Sequence, residues 1–157
     1  MGKLFNRITE RLLAVSDSRE PDFVIGGHQD PYVRRWWLIP RNRIQNAYLH
    51  QFLRSDDDRA LHTHPWLWNV SILLRGRYRE WFGEGPNDYV ERQAPAFKFR
   101  WGPAPHRIEL THGPVWTLFL TGPRIRQWGF LCPQGFVHWR DFTDADDKGA
   151  VGKGCGD

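Results

Sequence analysis

Cysteine is scarce in this chain of 157 residues, and the two present sit in unlike contexts, Cys132 in a strand-like run and Cys155 in a Gly-rich tail. They make no paired framework and miss the CxxC spacing of structural zinc, so a reducing compartment is the expectation. Long apolar runs are also missing. The opening stretch Met1-Gly2-Lys3-Leu4-Phe5-Asn6-Arg7 has no continuous signal-peptide core, and no segment approaches the roughly 18 apolar residues a membrane span needs. A soluble cytoplasmic protein without a membrane partner is therefore expected. Basic blocks are lacking as well: the net charge is +4, but the basic residues are scattered, which argues against nucleic acid as a partner.

What is there fits one β-rich domain, since this length buries a sizeable core without disulfide staples. Tryptophan is abundant, with nine, and indoles suit a compact β core and an oligomer surface. Leu4, Phe5, Ile8, Leu12 and Val15 fall at helical spacing, predicting an amphipathic helix over Lys3 to Val15. Pro21 and Gly26-Gly27 break it. From Trp36 to Trp139 the pattern changes to short runs between turn residues: Trp36–Ile39, Ile44–Leu53, Trp68–Leu74, Arg77–Phe82, Ala96–Trp101, His106–Leu110, Val115–Thr121, Gln127–Cys132 and Phe136–Trp139. Strands at such spacing imply a sandwich or barrel. The expected organisation is an N-terminal helix and extended arm over 1–35, a barrel over 36–142 and a flexible, Gly-rich tail over 143–157.

Of the seven histidines, His62 and His64 stand at i, i+2, which puts both imidazoles on one face of an extended strand. His106, at the start of a later strand, can complete a facial three-nitrogen site with open positions, suited to Fe(II), Zn, Ni, Cu or Mn. His28, His50, His112 and His138 carry no such signal; His50 is kept as a neighbour of the site.

His62-Thr63-His64, followed by Asn69 and then Gly76, resembles the first motif of the cupin superfamily, in which two histidines precede a glutamate and a turn glycine. Gly102-Pro103-Ala104-Pro105-His106 is similar to the second, a Pro/Gly turn leading into a histidine. The resemblance runs from Asn46 to Thr121 and implies the small single-domain form: an all-β double-stranded β-helix, or jelly-roll, barrel with a metal near its mouth. Asn69 stands where the family has its glutamate ligand, so the resemblance implies a three-histidine variant with Asn69 beside the metal. Pro103 and Leu110 replace a usual glycine and asparagine. Three-histidine members of the superfamily include thiol dioxygenases and some diketone- and gentisate-type dioxygenases.

Strand parity then sorts the neighbours. With His106 inward, Ile108 and Leu110 follow it, while Arg107 and Glu109 face out. Asp56, Asp57 and Asp58 read as a solvated turn bonding backbone amides. Arg75, Arg77 and Arg79 read as a strand face, with Gly76 as a tight turn. Trp66, Trp68, Tyr78, Trp101 and Phe119 read as barrel packing or an aromatic pocket wall. The expected function is that of a metal-binding cupin: an Fe(II)-dependent, dioxygenase-like enzyme for a small anionic substrate, holding one divalent transition metal (Fe(II), with Zn, Ni or Mn as alternatives) on His62, His64 and His106. Asn69, Arg75, Tyr78 and Arg100 are the candidate substrate contacts. The alternatives are a non-catalytic metal- or ligand-binding cupin and a non-redox isomerase or lyase. A homodimer is expected from the helix and the excess of Trp.

Overall fold

The structure is a computed structural model and describes residues 2–27, 29–56, 60–147 and 150–156. Helix α1 (Gly2–Ser18) precedes strands β1 (Phe23–Ile25), β2 (Val33–Trp37), β3 (Asn46–Phe52), β4 (Leu61–His62), β5 (Trp68–Trp81), β6 (Tyr89–Gln93), β7 (Ala96–Trp101), β8 (Arg107–Thr121), β9 (Gly129–Cys132) and β10 (Gly135–His138). A short α2 (Trp139–Phe142) follows. All pairings between strands are antiparallel, in a seven-stranded sheet ordered β1-β2-β3-β8-β5-β6 with β7 also on β5, and a three-stranded sheet β10-β9-β4. The bridge between His62 and His106 joins the two sheets. This is the all-β double-stranded β-helix that the motifs implied.

Two pairs of expected strands are single long ones. Trp68–Leu74 and Arg77–Phe82 merge into β5, and His106–Leu110 and Val115–Thr121 into β8. Gly76 is therefore a bulge inside a strand rather than a turn: its φ is +91°, and an added Cβ would lie 2.9 Å from Val115 Cγ2. The β5/β8 register shifts on both sides of it, which exchanges the two faces of the strand. Asn69 and Leu73 are buried at odd positions before the bulge, Tyr78 and Glu80 at even positions after it. On β8 the exchange lies between Ile108 and Val115, around Gly113-Pro114.

The inner core is Val33, Phe52, Leu73, Tyr78, Ile108 and Val115. On the sheet's other face α1 packs Leu12, Leu13 and Val15 against Trp36, Leu49 and Leu74, so β3 is buried on both sides. Leu4 and Ile8, assigned to the helix's apolar stripe, are exposed instead, and Thr9 and Leu13 are its buried residues. The chain's own sheet covers Phe5, Leu12 and Val15 of the helix face that suggested a partner and leaves Leu4 and Ile8 exposed.

The cysteine reading is overturned: Cys132 and Cys155 form a disulfide, with Cα atoms 5.4 Å apart. Cys132 ends β9 in a cluster with Phe130 and Phe142, and the tail folds back onto it. A Thr143–Val151 bridge and bonds from Gly152 and Gly154 N–H to Phe142 O hold the returning segment. Composition carries no signal for these contacts, which are set by the return of the chain onto Phe142, Thr143 and Cys132. The disulfide also removes the cysteine basis for a reducing compartment. Among the described residues no helix is long and apolar enough to cross a membrane.

Candidate metal centre

The three histidines converge because β4 is pinned to the start of β8. His62 N–H donates to His106 O (2.9 Å) and His106 N–H to His62 O (3.0 Å), while His64 N–H donates to Gly102 O (3.1 Å). Gly102 is required by this crossing, since a Cβ there would lie 1.7 Å from Trp66 O. The second motif thus keeps its turn despite Pro103. The ring centroids lie 4.8 to 5.2 Å apart, and one nitrogen from each of His62, His64 and His106 falls within 4.8 Å of the others.

Nε2 of His64 and Nε2 of His106 face each other at 2.9 Å. Two neutral imidazole nitrogens aimed at one point are either a shared-proton pair or two corners of a coordination sphere. Ligands held at about 2.1 Å and at right angles stand about 3.0 Å apart, close to that separation. Burial lowers the pKa of all three histidines, and for His64 and His106 neighbouring imidazoles and Arg100 lower it further. Neutral imidazole is the form that ligates metal. The donor set fits a borderline divalent transition metal.

The centre opens into a cavity of about 480 Å³. Trp66, Phe119 and Phe130 contribute aromatic wall, and Tyr78, Glu80 and Arg100 polar groups. Of the candidate substrate contacts, Tyr78 and Arg100 line this cavity and Asn69 and Arg75 do not. Arg75 is exposed, within the bulge. Asn69 is fully buried between Arg100 and Thr121 in register, its amide unpartnered. Trp101 is exposed on β7 and adds nothing to the wall.

Glu80 is the site residue that sequence reasoning missed. Its carboxylate accepts from Arg92 Nε at 2.5 Å, pairs with Arg100 Nη2, and lies 3.3 Å from His106 Nδ1, off line for a hydrogen bond. A signal existed: in Arg77-Tyr78-Arg79-Glu80 alternation places Glu80 with Tyr78, opposite the arginines. Burial lowers the Arg100 pKa to about 10 and raises that of Tyr78, so the phenol stays protonated at neutral pH.

Asp56 does bond a backbone amide, but one distant in sequence: it accepts from Ile108 N at 2.6 Å and is half-buried at the cavity rather than solvated. Asp57, Asp58 and His28 lie outside the described residues. Glu109 accepts from Trp81 Nε1 on the outer side. His50, unresolved by parity, faces inward and lines the cavity with Arg35 and Thr117.

No family model and no curated protein matches the chain in sequence. Its backbone is similar to several solved structures. An uncharacterised protein with a double-stranded β-helix domain from Klebsiella pneumoniae has a TM-score of 0.51 at 10% identity, covering 68% of this chain and 90% of that one. The FeII form of HppE has 0.51 at 17%, covering 66% and 56%. The DMSP lyase DddQ from Ruegeria pomeroyi has 0.51 at 17%, covering 66% and 54%. The match thus spans little more than half the length of the last two. At these identities the likeness shows the path of the backbone alone, and that path is a double-stranded β-helix.

Proposed function

We propose that this protein is a metal-dependent cupin enzyme of the three-histidine kind, acting on a small anionic organic substrate in the manner of an Fe(II) dioxygenase. The observation that carries the reading is the convergence of three neutral imidazoles, His106 buried and His62 and His64 half-buried, on one side of an aromatic-walled cavity. His62, His64 and His106 would hold the ion, with Fe(II) favoured and Zn, Ni or Mn as alternatives. Fe(II) bound there would supply adjacent open positions for substrate and dioxygen, and three neutral ligands would leave its charge to attract an anion.

The chain's own residues do the rest. Glu80 stands 3.3 Å from the far nitrogen of His106, and a small rotation of that ring on binding metal would let Nδ1–H donate to its carboxylate, the arrangement that commonly orients metal-bound histidine. Trp66, Phe119 and Phe130 exclude water. Tyr78 offers a protonated hydroxyl at the cavity wall. That one similar fold carries FeII supports metal chemistry on this scaffold, and that another is named a DMSP lyase supports keeping a lyase as an alternative.

A second reading, a cupin that binds metal or ligand without turnover, is favoured by the state of the cavity's two carboxylates. Glu80 is tied to two arginines and Asp56 to a backbone amide, so neither is free as a general base. We also infer a homodimer, supported by the exposed Phe97, Phe99 and Trp101 on β7; a monomer in light scattering at micromolar concentration would refute it.

The test is metal analysis of protein purified without chelator, joined to an oxygen-uptake screen with small organic acids and thiols. Stoichiometric iron with uptake is the expected result. Zinc or nickel without uptake would move the reading to lyase, isomerase or binding protein. Replacing His62, His64 or His106 by Ala should each abolish stoichiometric metal with the fold intact, and full occupancy in His106→Ala would refute the centre.

A further inference from the structure

A row of polar side chains crosses the inner face of the large sheet. Arg35 on β2 pairs in register with His50 on β3, and His50 pairs with Thr117 on β8. All three line the cavity. In a wall otherwise rich in aromatic rings this row has to be satisfied by something.

Arg35 Nε donates to His50 Nε2 at 2.8 Å, which fixes the direction of the guanidinium and leaves the donors on both terminal nitrogens available. His50 is itself fixed, stacked between Tyr48 (5.8 Å) and Phe119 (5.2 Å). Arg35 also lies over the Tyr48 ring, 5.0 Å from its centroid. Among the described residues no carboxylate pairs with Arg35. Burial lowers its pKa to about 10, so it remains a cation at neutral pH. Thr117 Oγ1 is buried with no hydrogen-bond partner.

The other cationic candidates are already used. Arg100 is committed to Glu80, and Arg75 is exposed outside the cavity. Arg54 is tied to Asp30, and Arg41 is exposed at the cavity's edge. A half-buried guanidinium with a free planar fork, on the same row as an unsatisfied hydroxyl across His50, matches the two oxygens of a carboxylate.

We infer that Arg35, oriented by His50 and joined by Thr117, is the subsite for the carboxylate of the substrate. The wall from His50 through Phe119 leads to His64, whose ring centroid lies 5.9 Å from that of Phe119. The ligand is then an organic acid whose carboxylate lies on this row, whose apolar body runs along Phe119, and whose reacting end meets the three histidines. This rests on the proposed function only for that last part, since the anion site itself needs no metal.

The test is calorimetric titration with benzoate and hexanoate, and with their primary amides, on chelator-treated and on Ni(II)-loaded protein, with metal uptake measured separately. The acids should bind both forms and the amides far more weakly. Arg35→Gln should weaken benzoate binding at least about tenfold and Thr117→Val about threefold, as expected for losing a charged and a neutral hydrogen-bond donor. Arg35→Lys, which keeps the charge but not the fork, should fall between, and it serves if Arg35→Gln does not fold. Benzoate held without any metal uptake would support the subsite while defeating the proposed function. Stoichiometric metal with no acid bound, or unchanged affinity in folded Arg35→Gln, would overturn the subsite and leave the metal centre standing.

Discussion

Replacing Glu80 by Gln removes one charge from the most densely ionic point of the interior. Glu80 is 3% exposed and its partner Arg100 6%, so neither recovers its interaction from water. Breaking a buried pair at one end costs about 3 to 5 kcal/mol, because the remaining ion stays buried and uncompensated. The amide keeps the shape and one acceptor, which places Glu80→Gln near the lower end, about 3 kcal/mol. For a domain of this size that is a fall in Tm of roughly 6 to 12 °C in differential scanning calorimetry of metal-free protein. A separate effect should appear at the metal: with no carboxylate at Nδ1 of His106, affinity should drop about 10- to 100-fold in a competitive chelator titration. Replacing Glu80, Arg92 and Arg100 together by Met should restore much of the stability, since an apolar trio leaves no orphan charge, but not the metal affinity. A Tm within about 2 °C of the parent, joined to unchanged metal affinity, would refute both the energetic weight and the orienting role given to Glu80.

Acid should destabilise the metal-free protein from about pH 6.5 downward. Burial holds His50, His62, His64 and His106 below the usual 6.5, so the unfolded chain takes up protons as pH falls through that value while the folded one does not; stability is flat above it and lost progressively below it. Chemical denaturation across pH 4.5 to 8 should show this slope, about pH 6.5 being its onset, and a flat profile would mean the imidazoles are not buried as described. Cys155→Ser should cost about 3 kcal/mol by the loop-closure estimate for the 23-residue separation, and thiol titration of the denatured, unreduced protein should find no free cysteine. Leu13→Ala should cost about 2 to 4 kcal/mol, because Leu13 packs with Trp36, Leu49 and Leu74; a change within about 0.5 kcal/mol in urea denaturation would show that α1 is not docked on the sheet.

Local regularities determined what was legible in the sequence. Alternation put His62 and His64 on one face, since that spacing needs only an extended backbone, and helical spacing placed α1 to within a few residues. Turn chemistry located most strands, and the paired motifs marked the double-stranded β-helix. Parity within one uninterrupted stretch also held, with Ile108 inward and Glu109 outward. It failed across the bulges at Gly76 and Gly113-Pro114, where one extra residue exchanges the faces of a strand. Arg75, next to the first motif in sequence, is turned outward within the first of these bulges. Only the tertiary structure decided which face of β3 looks inward, because β3 is apolar on both sides, one against α1 and one against the cavity. It also decided what stands side by side across strands: Arg35 with His50 and Thr117, Glu80 with two arginines, Cys132 with Cys155. Those neighbours come from strand register and chain return, which pair residues far apart in sequence, and no local pattern of residue types encodes such pairings.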